Sequence, residues 1–155
     1  MPNVPISELM TPDPACCTPQ TPIPEVARLM VRHDCGAIPV VENESTRRLL
    51  GIITDRDIVC RLVAKDIPVE QATAEQAMTD EVATLTQDAT LNDCVHLMSC
   101  EKVRRVPVVD GNGRVLGIVA QADLARAGAD EPQLEEELTD AVEEISEPGP
   151  STCSR

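Results

Sequence analysis

Apolar residues recur along this chain with two different periods. Ile23, Val26, Leu29, Met30 and His33 fall near helical spacing and predict a helix over 23–33. Shorter apolar runs predict strands over 15–18, 37–41 and 49–54, the last two joined by a polar loop over 42–48. A second helix is predicted over 57–65. The order strand, helix, strand, strand, helix then recurs. Its second pass has a helix over 91–100, strands over 105–109 and 114–119, and a closing helix over 121–127. Between those strands lies Asp110-Gly111-Asn112-Gly113, with the Gly and Asn that tight hairpin turns favour. Farther on, Leu134, Leu138, Val142 (or Ala141) and Ile145 form one apolar stripe opposite an acidic face. Asp130 reads as the N-cap of that helix, with Gln133 completing a capping box. An acidic amphipathic helix over 130–146 must dock on something: its own body or a second subunit, at a dimer interface or across the edge of the module. Residues 147–155, with Pro148-Gly149-Pro150-Ser151, read as disordered.

The recurrence extends to residue identity. A shift of 68 positions lays Met10-Thr11 on Met78-Thr79, Thr18 on Thr86, Leu29-Met30 on Leu97-Met98, and Pro39-Val40-Val41 on Pro107-Val108-Val109. Two residues drop out of the next loop. Leu50-Gly51-Ile52 then falls on Leu116-Gly117-Ile118, and Asp57 on Asp123. The expected organisation is a first repeat over 6–66 and a second over 74–127, forming one paired module over 6–127. One three-stranded repeat cannot bury both faces of its sheet, so the two are expected to pack sheet to sheet in an α/β (α+β) fold.

Composition removes several function classes. The 155 residues include no Phe, Tyr or Trp, so no aromatic platform exists for stacking single-stranded bases. A formal charge of -14 opposes binding to a phosphate backbone. From residue 129 onward the chain holds Asp130, Glu131, Glu135, Glu136, Glu137, Asp140, Glu143, Glu144 and Glu147 against Arg155 alone. No apolar run approaches the roughly 20 residues that span a bilayer, and residues 1–5 lack the basic and apolar regions of a signal peptide. A cytoplasmic protein is expected, with no membrane or nucleic-acid partner. The seven Cys, an odd number without a CxxC pair, do not indicate a disulfide framework. Nor is there a catalytic constellation or a phosphate-loop pattern with its Lys, so no enzyme is expected.

Two short motifs recur in both repeats. Ile38-Pro39-Val40-Val41 is followed by Gly51-Ile52-Ile53-Thr54-Asp55-Arg56-Asp57, and Val106-Pro107-Val108-Val109 by Gly117-Ile118-Val119-Ala120-Gln121-Ala122-Asp123. These resemble the CBS domain, named after cystathionine beta-synthase, and the likeness runs over about residues 6–127. It is closest to small bacterial proteins made of little beyond one CBS pair. The resemblance implies pseudo-twofold symmetry, a homodimer, and two clefts for a regulatory adenine nucleotide (AMP, ADP, ATP or a related adenosyl ligand), with no catalytic cofactor. Each cleft would take strand walls from one repeat and the Thr-x-x-Asp segment from the other. The main cleft would combine Thr54, Arg56 and Asp57 with Val82, Ala83, Thr84, Val103, Arg104, Val106 and Pro107. The weaker cleft would combine Ala120, Ala122 and Asp123 with Ala15, Cys16, Cys35, Gly36, Ile38 and Pro39. There Ala120 departs from the family's Thr or Ser, and neither Ala122 nor Gly36 replaces the missing cations.

The chemistry behind this assignment is general. A strand-to-helix junction presents free backbone N–H groups to a phosphate, a Thr hydroxyl can add a donor, and a carboxylate can accept both hydroxyls of a ribose. Plainer readings stand beside these. Thr54 and Asp57 could simply cap the helix that follows. Of Arg104 and Arg105, neighbours on a strand, at most one can face a cleft. Cys16, Cys17, Cys35, Cys60, Cys94 and Cys100 read as small core residues, against the alternative of a nucleotide-free, stress-related scaffold that responds through thiols or a metal. His33 sits near an apolar helix edge, and His96 lies off its helix's apolar stripe.

Overall fold

The computed structural model describes residues 4–130, 138–140 and 142–145. The chain folds as two compact units, a mixed α/β architecture with one core in each. The first unit comprises Pro14–Val82 with Asn112–Val115. The second joins the described residues up to Asp13 to Ala83–Gly111 and to the described residues from 116 to 145. The segment that opens each repeat in sequence therefore belongs to the other repeat's unit.

In the first unit, α1 spans Ile23–His33, with Ile23, Val26 and Met30 buried one above another and His33 exposed. Pro24 lies in its first turn, where a missing N–H costs nothing. The helix ends at Asp34 in the left-handed conformation, at φ 49°. Strand β2 (Ala37–Val41) is buried throughout and pairs antiparallel with β3 (Leu49–Thr54), from Ala37 opposite Thr54 to Val40 opposite Gly51. Residues 15–18, expected as a strand, make a single parallel bridge, Cys17 to Val40. Pro14 and Pro19 flank this run and supply no N–H, so the ladder cannot extend. Helix α2 covers Asp55–Arg61, followed by a 3-10 turn over Val63–Lys65, in place of one helix over 57–65. It starts early because Thr54 is its cap. A short helix α3 (Ala74–Ala77), not foreseen from periodicity, buries Ala74 and Ala77 in the same core as Ile38, Val40 and Ile53.

In the second unit the sheet runs β1 (Thr11–Pro12), β6 (Val115–Ala120), β5 (Arg105–Val109), β4 (Leu85–Thr86). Strand β1 pairs antiparallel with β6, and β4 lies parallel to β5. Ile6, fully buried, anchors the opening segment in this core. Helix α4 (Leu91–Glu101) starts at Thr90, whose hydroxyl accepts the Asp93 N–H while the Asp93 carboxylate accepts the Thr90 N–H. Leu91, Cys94 and Met98 form its buried face.

Helix α5 spans Gln121–Asp130, so Asp130 is a helical residue and not the N-cap of a new helix. Gln133 and Leu134 lie outside the described residues, as does the stretch 147–155. Residues 138–140 and 142–145 are helical. Leu138 and Ile145 are each only 2% exposed and pack in the second unit's core, while Asp140, Glu143 and Glu144 stay exposed. The predicted stripe thus docks on the chain's own body.

The cysteines divide by environment. Cys17 and Cys94 are buried, Cys16 is half-buried, and Cys35 and Cys100 are exposed, so the core reading fails for the last two. Cys60, half-buried, is disulfide-bonded, against the expectation from Cys number and spacing. Burial pushes the Cys17 and Cys94 thiols up to about 12. Maleimide labelling of the native protein at neutral pH should modify Cys35 and Cys100 and spare Cys17 and Cys94 until denaturant is added. Because the folded state holds these two protons more tightly than the unfolded state, the two thiols should add no pH dependence to stability below about pH 9. Their contribution should fall as the pH climbs from there toward about 12. A denaturation midpoint that rises over that interval would contradict the assignment.

Candidate functional site

Each unit carries one strand-to-helix junction with a buried carboxylate. In the first, Thr54 ends β3 and caps α2. Its Oγ1 accepts the Asp57 N–H at 3.1 Å, and the Thr54 N–H donates to Asp57 Oδ2 at 3.0 Å. The capping reading of these residues is therefore realised, but it does not exhaust them. A carboxylate offers about four acceptor positions and a hydroxyl keeps its own proton to donate. Asp57 Oδ1 faces Arg61 Nε at 3.8 Å, beyond hydrogen-bond length. Asp57 is 9% exposed, and Arg56 projects into solvent.

The second junction is built differently. The Ala120 N–H donates to Asp123 Oδ2 at 2.7 Å, and Asp123 Oδ1 pairs with Arg126. Ala120 has no hydroxyl with which to reciprocate, so the cap is one-sided. Asp123 is 7% exposed and Ala122 is exposed.

The remaining candidates fall in place by strand pairing. Antiparallel β2 and β3 set the start of one beside the end of the other, so the Gly36 carbonyl accepts the Asp55 N–H at 3.0 Å. Likewise the Arg104 carbonyl accepts the Gln121 N–H at 2.8 Å. Gly36 therefore adjoins Thr54 and Asp57, and Arg104 adjoins Ala120 and Asp123. Each junction brings together residues that the sequence reading divided between two clefts. Ala15 and Cys16 are half-buried and Cys35 exposed, all in the first unit, whose main segment ends at half-buried Val82. In the second unit Ala83 and Val103 are half-buried, and Thr84 and Arg104 exposed. Ile38 and Val106 are fully buried in their own units' cores, and Pro39 and Pro107 are buried in β2 and β5. At Ile38 and Val106 only backbone is left for a ligand.

Three arginines were missed. Arg61 and Arg126 stand four and three residues after their aspartates, the spacing at which helical side chains meet. That spacing was readable in the sequence. Arg47 was also missed: its Nη2 donates to the Pro14 carbonyl at 2.8 Å and to Cys16 Sγ at 3.1 Å.

The two junctions, each a Gly-containing strand running into an Asp-bearing helix, agree with the outcome of comparison with known proteins. The CBS domain family model matches residues 6–64 and again 74–130. This chain belongs to the CBS domain family. A relative, the uncharacterized protein YlbB of Bacillus subtilis (strain 168), is 37% identical over 142 residues, covering 92% of this chain and 91% of the relative. Among solved structures, the CBS domain pair of protein MJ0100 in complex with 5'-methylthioadenosine and S-adenosyl-L-methionine is 28% identical. It has a TM-score of 0.75 and covers 84% of this chain and 99% of that one. The crystal structure of hypoxic response protein I, with two coordinated zinc ions, is 31% identical, with a TM-score of 0.71 and coverage of 79% and 98%. Among the described residues of this CBS pair, no three His, Cys, Asp or Glu side chains group in a way that could hold a metal ion. No helix among them is long and apolar enough to cross a membrane.

Proposed function

We propose that this protein is a non-catalytic, cytoplasmic regulatory module that binds an adenine nucleotide or related adenosyl ligand and acts on a separate effector protein. The observation that carries this reading is the buried Asp57 carboxylate, whose Oδ1 accepts no hydrogen bond among the described residues and faces Arg61 at 3.8 Å, leaving it able to take ribose hydroxyls near the Thr54 hydroxyl and Arg56. The adenosyl ligands of the MJ0100 pair support the ligand class. Val59, Val63 and Ile67, spaced four apart and 56%, 56% and 38% exposed, support assembly as a homodimer. A strictly monomeric species in sedimentation equilibrium at micromolar concentration would overturn that part.

Equilibrium dialysis against AMP, ATP, S-adenosylmethionine and NAD tests the ligand. Asp57→Ala should weaken binding by about 1.5–3 kcal/mol, the scale of a hydrogen bond to a charged group. Asp57→Asn retains cap acceptors and separates the lost charge from a lost cap. Asp123→Ala should cost less, because Ala120 already lacks the hydroxyl. Equal losses at both aspartates would refute the difference between the junctions.

A second reading rests on the zinc-bearing relative and on Cys100 Sγ lying 3.6 Å from His96 Nε2 on α4. In it the module answers to a metal or to thiol chemistry. Zinc competition against a chromophoric chelator, run beside the dialysis, decides it: zinc uptake without nucleotide uptake would favour this alternative.

A further inference from the structure

Arg61 does more than face Asp57. Its Nη1 donates to the carbonyls of Ala77 at 3.2 Å and Met78 at 2.7 Å, and its Nη2 donates to Thr79 Oγ1 at 3.2 Å. The same stretch is bonded to β3, since the Thr79 N–H donates to the Ile52 carbonyl at 2.8 Å and the Ile52 N–H returns to the Thr79 carbonyl at 2.9 Å. One guanidinium therefore sits between the buried carboxylate and a three-residue segment, all within the first unit. In sequence, that segment leads on to Val82 and Ala83, where the second unit resumes.

The matched position in the second repeat has no such group. The shift that lays Asp57 on Asp123 lays Arg61 on Ala127. Arg126, one residue earlier, is 71% exposed at its side chain and pairs with Asp123 on its own helix. Met10-Thr11, which match Met78-Thr79, are held on β6 by strand pairing at Thr11, without a guanidinium from position 127. The arginine is thus a particular of the first junction, and helix capping does not require it.

We infer that Arg61 is a positioning residue that couples occupation of Asp57 to the seating of residues 77–79. The inference rests on the reading of Asp57 as a ligand acceptor. At 3.8 Å the carboxylate attracts Nε without holding it in a hydrogen bond. A ligand hydroxyl donating to Oδ1 weakens that pull and leaves the guanidinium more fully to the Ala77 and Met78 carbonyls. Occupation then tightens 77–79, and by linkage a tighter 77–79 favours occupation.

The test is hydrogen exchange at the Thr79 amide, followed with AMP and, separately, with S-adenosylmethionine as probes, in the full chain and in Arg61→Gln. Without probe, Arg61→Gln should speed exchange at Thr79 about tenfold or more, since charged hydrogen bonds to the segment are lost. In the wild type, a bound probe should slow exchange there about fivefold or more, the lower end of ordinary coupling. In Arg61→Gln the probe should still bind, with the Thr79 response gone. If a probe binds the wild type and Thr79 does not respond, or if Arg61→Gln responds as the wild type does, the coupling is wrong while the ligand reading stands. If neither probe binds the wild type in dialysis, whichever of ATP or NAD does bind serves as probe under the same criteria; if none of the four binds, the ligand reading fails and takes the coupling with it. Should Arg61→Gln not fold, Arg61→Lys replaces it under the same criteria, because Lys keeps the charge near Asp57 and loses the planar fork that reaches three acceptors.

Discussion

Truncation after Gly128 should lower the melting temperature by on the order of 10 °C and leave affinity for the proposed nucleotide nearly unchanged. The expectation follows from Leu138 and Ile145, which are almost wholly buried among Ile6, Leu91, Met98 and Leu124. Each buried aliphatic side chain contributes roughly 1.5–3 kcal/mol. A chain of this size loses about 2–4 °C per kcal/mol. The acidic face offsets little, since Glu143 and Glu144 remain in water. A finer measurement uses the double variant Leu138→Ala, Ile145→Ala in the full chain, which should reproduce most of the loss. The junction residues Thr54 and Asp57 belong to the other unit and its separate core, which is why affinity should hold. Loss of nucleotide binding with melting unchanged would mean that the tail belongs to the ligand site.

Gly51→Ala should destabilise by about 2–4 kcal/mol, read as a shift in the urea midpoint. A Cβ built on Gly51 would lie 2.6 Å from the Thr79 carbonyl oxygen and 3.2 Å from Met78 Sδ. The first of these atoms is backbone, already fixed by the Ile52 N–H and by Arg61 on the same segment, so it cannot step aside alone. Overpacking of this kind costs about 1–3 kcal/mol, and each bridging hydrogen bond lost adds about 1 kcal/mol. Gly117→Ala is the informative comparison. Its Cβ meets first the side chain of Met10, whose far end can move, and then the Thr11 carbonyl oxygen at 2.9 Å. It should cost less than Gly51→Ala. A midpoint for Gly51→Ala within error of wild type would show that segment 77–79 yields freely.

What could be read ahead of the structure was what period and identity encode. The bounds of α1, β2, β3 and β5 came out as predicted, because each is a well-patterned apolar run between polar turns. The stripe through Leu138 and Ile145 was also legible, as was the need for it to dock. Residues 15–18 misled because apolar content says strand while the flanking prolines deny the ladder its donors. Helix α2 begins two residues before its predicted bound because the Thr54–Asp57 capping box sets its first turn at Asp55. The duplication exposed Met10-Thr11 and Met78-Thr79 as equivalents, but periodicity carries no information on which sheet a segment joins. Nor does it show that hairpin pairing brings Gly36 and Arg104 each beside its own repeat's junction. Arg61 escaped notice because its partners at Ala77, Met78 and Thr79 are distant in sequence and two of them are backbone carbonyls.

The exchange of opening segments bears on how the chain comes off the ribosome. Thr79 follows its partner Ile52 closely, so the edge of β3 can be covered soon after it is made. Thr11 must wait for Ile118, about 107 positions later. At about 5–20 residues per second this is roughly 5–20 s of synthesis. Ile6 has no core to enter until residues 85–98 are made, and Thr11 stays without its strand partner for the whole interval.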